Sequence, residues 1–191
     1  GSKVYDGGSV VLASELPTIS GLIGSETVVT GNQTTTSTSL STGARKNVAN
    51  NVAVQSNASG ITVSNGSNGG LASNYTLTSG THQVNITKAP VSVALSRQYD
   101  GSTNASSNAT DSNTSETFSG LVGSETLTLS GQGSVPSKNY SASTQAVTLG
   151  SLAIGDQSGA SASSGGLASN YNFTSATLAI NKKVLNSNSS R

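Results

Sequence analysis

Of the 191 residues, 38 are Ser, 23 Thr, 22 Gly and 18 Asn, while apolar residues reach 32% and charged ones 9%; an average soluble domain holds roughly 45–50% and 25%, so a large aliphatic core and a strongly charged surface are both excluded. A net charge of +1 gives nucleic acid or an anionic membrane nothing to hold, and no apolar run nears the ~20 residues that span a bilayer. The lack of Cys removes disulfides and thiolate metal sites, and the plentiful Val, Ile and Thr with low net charge speak against disorder and for β-structure with a small polar wet face.

Along the chain, the first landmark is Lys3-Val4-Tyr5-Asp6-Gly7. Tyr5 is expected to anchor its ring in the core, Asp6 to accept a hydrogen bond from the backbone two residues on, and Gly7 to take φ > 0, which makes a turn after an anchored ring. Ile19-Ser20-Gly21-Leu22-Ile23-Gly24-Ser25-Glu26-Thr27 follows, then Lys46-Asn47. Apolar residues at alternate positions, Val52 with Val54, Ile61 with Val63 and Val84 with Ile86, predict strands with one buried face. Gly69-Gly70-Leu71-Ala72-Ser73-Asn74-Tyr75 lies between them; Asn74 is expected to shape a turn as Asp6 does, and Tyr75 to enter the core. Pro90 fixes φ and cannot donate to a ladder, so it is expected to form a stiff joint between domains.

The landmarks then return in order. Val91, Val93 and Leu95 alternate into Arg97-Gln98-Tyr99-Asp100-Gly101, 94 positions after the first such motif. Phe118-Ser119-Gly120-Leu121-Val122-Gly123-Ser124-Glu125-Thr126, Lys138-Asn139 and Gly165-Gly166-Leu167-Ala168-Ser169-Asn170-Tyr171 follow, with Asn170 and Tyr171 in the roles of Asn74 and Tyr75. Leu127 with Leu129, Val147 with Leu149 and Leu178 with Ile180 keep the period of two. Offsets from 92 to 99 put insertions between fixed motifs, as surface loops allow, the longest being residues 104–114. The expected organisation is one repeat at 3–88, a second at 89–183 and a flexible tail at 184–191. The first copy has nothing to match 91–95, so its leading strand is expected to be truncated and the sequence to begin inside a longer array. Short strands between Gly, Asn and Ser clusters predict an all-β fold of two tandem, β-sandwich-like domains in an elongated arrangement; a parallel β-helix is the alternative, disfavoured by the long period.

These motifs, five in the same order twice over, resemble the YDG/MBG repeats of filamentous-haemagglutinin-like surface adhesins, which Gram-negative bacteria export by two-partner secretion. The resemblance spans residues 3–183 and departs from the pattern at 104–114. It implies a secreted, surface-displayed stalk or spacer that serves adhesion or biofilm formation, with the rest of the adhesin chain as its partner. No catalytic residue and no cofactor come with it. The alternative function is a carbohydrate-binding module for host or biofilm polysaccharide, with the 104–114 loop as its candidate. Nucleic-acid binding and membrane insertion are not expected, and the fragment is expected to be monomeric.

All seven aromatic residues fall at repeat landmarks: Tyr5 with Tyr99, Tyr75 with Tyr171, Phe118 for Ile19, Phe173 for Leu77 and Tyr140 for Val48. Interchange with aliphatics marks core positions, so burial is expected for all, roughly 1.5–3 kcal/mol each. Tyr75 and Tyr171 are expected to matter most, each ring sitting in its own core, with Tyr75→Ala costing the first copy about 3–5 kcal/mol and barely affecting the second. Lys3/Arg97, Asp6/Asp100, Glu26/Glu125, Lys46/Lys138 and Lys88/Lys182 recur as matched charges. That recurrence suggests fixed partners, a carboxylate to a lysine in each copy, either as exposed pairs under ~1 kcal/mol or as a Lys–Asn isopeptide bond catalysed by Glu. His82 is the single histidine; it cannot assemble an N/S metal site or serve a serine nucleophile in both copies. Residues 111–116 alternate oxygen ligands but lack the turn Gly and distal Glu of a calcium loop. No enzyme activity and no metal are therefore expected.

Overall fold

The computed structural model describes residues 1–15, 19–32, 46–54, 61–76, 82–107, 114–160 and 166–185. Its regular elements are strands and short 3₁₀ turns, so the protein is all-β. The chain divides into two compact units, Gly1–Lys88 and Ala89–Arg191.

Unit 1 contains β1 (Ser2–Val4), β2 (Val28–Asn32), β3 (Ala49–Val54), β4 (Ile61–Asn65) and β5 (His82–Thr87). One sheet has the order β1-β5-β3, and β2 pairs antiparallel with β4. The sequence alternation sets the faces: Val84 and Ile86 are buried with Val52, Tyr5 and Val11, while Gln83 and Asn85 at the alternate positions are exposed. β1 runs parallel to β5, with Lys3 opposite Ile86, so the lysine takes an inward position.

Unit 2 contains β6 (Ala89–Gln98), β7 (Asn104–Ser106), β8 (Ser115–Ser119), β9 (Leu127–Ser130), β10 (Gln132–Ser134), β11 (Gln145–Ala146), β12 (Ala153–Asp156) and β13 (Tyr171–Asn181). The larger sheet has the order β11-β13-β6-β8, and β7–β10 and β9–β12 form two-stranded ribbons. Along β6 every second residue from Ala89 to Arg97 is buried. The core joins this sheet to both ribbons: Val93 and Leu95 of β6 and Ala176, Leu178 and Ile180 of β13 cluster with Ala105, Leu129, Val135 and Leu152. Burying a Leu or Ile side chain of this kind contributes about 1.5–3 kcal/mol.

The two units repeat their pairings. Arg97 lies opposite Ile180 as Lys3 lies opposite Ile86, and Leu127 opposite Asp156 as Val28 lies opposite Asn65. β1-β5-β3 thus corresponds to β6-β13-β11. Parallel pairing is confined to β1–β5 and β6–β13, the other six strand pairs being antiparallel; the described strands do not stack as the parallel coils of a β-helix.

Two expectations are corrected. Pro90 is not a joint: it is the second residue of β6, opposite Asn172. Its carbonyl lies on the side of Gly120, where an added Cβ would meet it at 2.5 Å, and β8 has ended there, since its pairing with β6 runs from Ser92 to Ser96. A proline is tolerated where no ladder partner awaits its missing N–H. Nor is 104–114 one loop, because Asn104–Ser106 is β7, paired with β10, and Ala105 is fully buried. Val11 stands 94 positions before Ala105 and is buried too, so the added residues begin after β7. Residues 108–113, which carry most of the suggested calcium ligands, lie outside the described residues, as does most of the tail; Val184 and Leu185 are exposed.

Candidate functional site

The first recurring site closes the end of the leading strand. The Asp6 carboxylate accepts the Gly8 N–H at 2.9 Å, and Asp100 accepts the Ser102 N–H at 2.8 Å. Gly7 and Gly101 between them have φ of 71° and 81°, a conformation that costs a side-chain-bearing residue most. The same carboxylates pair with Lys3 and Arg97, whose side chains are buried to 3% and 5% residue exposure. Both cations point inward because they occupy core-facing strand positions, so the ion pair neutralises a charge that burial alone would make costly. Arg97 also donates to the carbonyls of Gln98 and Ser102; its Nε has no partner among the described residues. Partial burial opposes ionisation of Asp100, but the Ser102 N–H and hydroxyl and the charge of Arg97 outweigh it and hold the carboxyl below its ordinary value.

The second site ties the Gly-Gly-Leu-Ala-Ser-Asn-Tyr motif to the Gly-rich turn far upstream. Ala72–Asn74 and Ala168–Asn170 form 3₁₀ turns entered through Leu71 at φ −91°, ψ 121° and Leu167 at φ −90°, ψ 120°. The tyrosine that follows each turn is thereby aimed at residues 23–26 or 122–125. The Tyr75 hydroxyl accepts the Ile23 N–H at 3.2 Å and donates to Glu26. The Tyr171 hydroxyl accepts the Val122 N–H at 3.1 Å and donates to Glu125 at 2.6 Å. The glutamate N–H closes the ring onto the Ile23 or Val122 carbonyl, 3.0 Å in both units. Gly24 and Gly123, each at φ 56°, occupy the first central position of that turn, where φ > 0 calls for glycine.

Asn74 and Asn170 supply backbone N–H groups to Leu71 and Leu167, and another side chain also holds each turn. Asn65 accepts the Ala72 N–H at 2.8 Å and Asp156 accepts the Ala168 N–H at 2.7 Å. Sequence reading missed this pair because Asn and Asp are not identical; aligning β4 with β12 would have found it.

Burial separates the two tyrosines. Tyr171 is 2% exposed, whereas Tyr75 is half-buried beside a cavity of about 170 Å³ lined by Ile19, Ser20, Gly21, Leu22, Val28, Val63 and Thr76. The core burial expected of both rings is therefore corrected for Tyr75. Burial first, then the bond to Glu125, pushes the Tyr171 hydroxyl up to about 12 against the opposing Val122 N–H; the bond to Glu26 is the main cause that raises Tyr75. Both hydroxyls stay protonated near neutral pH and act as donors, not bases.

Other expected core rings lie outside. Tyr99 is 36% exposed and Tyr140 49% exposed with the Lys182 ammonium 5.0 Å from its ring centre, while Phe118 and Phe173 pack partly buried against the core. Tyr99 follows the end of β6, where the inward alternation has run out. The glutamates bond to tyrosine hydroxyls, and Lys46, Lys88, Lys138 and Lys182 are exposed. Of His82 only the strand position on β5 is described. Among the described residues no three His, Cys, Asp or Glu side chains gather as metal ligands. No helix of the described residues is long and apolar enough to cross a membrane.

Residues 81–178, just over half of the chain, match the model of the YDG domain. The match begins before β5 and ends within β13, a frame shifted from the compact units. No curated protein and no solved structure matches the chain.

Proposed function

We propose that this chain, which belongs to the YDG domain family, is a non-catalytic spacer segment of a large, secreted bacterial surface adhesin, serving adhesion or biofilm formation. The observation that carries this reading is how the recurring polar groups are used. Lys3 and Arg97, Asp6 and Asp100, and the Tyr–Glu pairs all bond within their own unit. Such groups hold up a fold, and what they leave outside is a Ser-, Thr- and Asn-rich surface of low charge that stays hydrated without attracting polyions. The reading includes a tandem arrangement, display at the cell surface, the rest of the adhesin as partner, and a monomeric fragment. Small-angle scattering of residues 1–191 should give a two-lobed, extended particle; a compact sphere would count against the spacer.

The exposed rings of Tyr99 and Tyr140 favour a second reading, in which unit 2 binds polysaccharide by stacking sugars on an aromatic face. Binding on a glycan array that disappears in Tyr140→Ala would support it, and binding unchanged in Tyr99→Ala and Tyr140→Ala would dismiss it.

A further inference from the structure

Of the charges that recur between the units, the fold uses only some. Lys3 and Arg97 pair with Asp6 and Asp100, and Glu26 and Glu125 bond to tyrosine hydroxyls. Lys46 with Lys138, and Lys88 with Lys182, recur as well; all four are exposed, and among the described residues no carboxylate pairs with them. In unit 2 two of these cations meet an exposed ring. The loop after β10 is fixed at its root, where Val135 is buried and its N–H donates to the Thr103 carbonyl at 2.9 Å. The Gln145 side chain closes the loop, accepting the Ser137 N–H at 2.9 Å and donating to the Ser137 carbonyl at 3.0 Å. Gln145 lies opposite Leu178 in the antiparallel pair β11–β13, and counting back along one strand and on along the other brings Ser141 level with Lys182. The register thus delivers Lys182 to Tyr140, with its ammonium 5.0 Å from the ring centre. Tyr140 stays 49% exposed, and Lys138 stands two residues before it in the same loop.

We propose that Lys138, Tyr140 and Lys182 form a binding site for a uronic acid unit of an acidic polysaccharide. A ring face attracts a cation without discharging it, so Lys182 is steered into place and keeps N–H donors for an anion. The sugar's C–H face rests on the open part of the Tyr140 ring, and its carboxylate is taken by the two ammonium groups. Asn139 and Ser141, both exposed, can hydrogen-bond the hydroxyls. A single-stranded nucleic acid would call for successive rings along a basic groove; this loop carries one ring among small polar side chains. Unit 1 has Val48 at the place of Tyr140, so the site belongs to unit 2. Hydrogen bonds to an ionised group are roughly twice as strong as neutral ones, and the carboxylate therefore sets selectivity while the ring sets position. This inference rests on the polysaccharide reading of unit 2 and names its ligand by charge.

The test titrates the full chain with tetragalacturonate, and with the same tetramer methyl-esterified at every carboxyl, while NMR follows the backbone amides. The acid tetramer should give saturable shifts confined to residues 137–141 and 182, and the ester should bind about tenfold more weakly. Tyr140→Ala should weaken the acid tetramer about tenfold, the upper end for an aromatic contact. Lys138→Gln and Lys182→Gln, at exposed positions that leave the fold intact, should each weaken it up to about fivefold, the ceiling for an exposed ion pair; Lys182→Arg should preserve binding. Equal binding of acid and ester, both lost in Tyr140→Ala, would overturn the inference and leave the polysaccharide reading standing. If neither that tetramer nor a hyaluronan tetramer shifts these amides, the inference falls, and neutral sugars on the glycan array decide the broader reading separately. Equal binding of oligothymidylate or polyglutamate would overturn it too, by showing a patch that takes any anion.

Discussion

Tyr75 and Tyr171 hang from identical seven-residue motifs and make the same two hydrogen bonds, yet one ring borders a cavity and the other is buried. The motif sets the direction of the side chain, and the neighbours set how much water it loses. Tyr171 lies opposite Ala89 of β6 and is held by Val122 and Glu125; beside Tyr75, Ile19, Val28 and Val63 line the cavity. A recurring sequence can thus carry geometry from one unit to the next without carrying energy.

Truncation of the two rings is the strongest way to break that comparison. Tyr171→Ala should cost unit 2 about 3–5 kcal/mol, the range for a large buried aromatic, and Tyr75→Ala should cost unit 1 distinctly less. Urea denaturation read separately from methyl signals of each unit measures both; equal losses would mean that the cavity does not lower the worth of the Tyr75 ring.

The carboxylates give the next largest effect. Asp100 holds Arg97 and both Ser102 donors, whereas Asp6 holds Lys3 and Gly8 N–H. Asp100→Asn should cost about 1.5–3 kcal/mol, typical of a hydrogen bond to a charged partner, and more than Asp6→Asn. Because the folded-state pKa of Asp100 is depressed, its contribution is complete above the ordinary value of 3.8 and is lost as pH falls below it. An acid titration of stability in which wild type and Asp100→Asn fail to converge below that value would refute the assignment.

The smallest effect tests whether the two cations are interchangeable. Arg97→Lys installs the residue that unit 1 uses, keeps the ion pair and removes the unpartnered Nε, at the expense of the bond to the Ser102 carbonyl. The change should lie within about 1 kcal/mol either way. A loss of several kcal/mol would show that the forked contact, which unit 1 lacks, is what closes the turn in unit 2.

How far these features could be read in advance depends on whether they are local. The Asp–Gly turns need only a short side chain followed directly by a φ > 0 glycine, and Asp6, Gly7, Asp100 and Gly101 show it plainly. Alternation likewise marks β6 and β13, whose apolar positions are buried in turn. Partnerships across 31 or more positions do not follow from spacing: Glu26 with Tyr75, Glu125 with Tyr171, Thr126 with Gln157. The exposure of Tyr99 and Tyr140 and the inclusion of Pro90 in a strand were hidden for a related reason. Each depends on where a neighbouring strand stops, and strand ends are set by tertiary pairing rather than by local preference.

In unit 2 the first and last strands lie side by side and parallel over ten register pairs, from Ala89 opposite Tyr171 to Gln98 opposite Asn181. The chain therefore enters at one end of this ladder and leaves at the other, about 30 Å away at 3.3 Å per residue. Tension applied to the two ends of unit 2 loads the β6–β13 hydrogen bonds in shear, so that they must yield together instead of unzipping one at a time. Single-molecule pulling should record one high rupture force for unit 2, and a gradual, low-force extension would mean that another part of the unit gives way first.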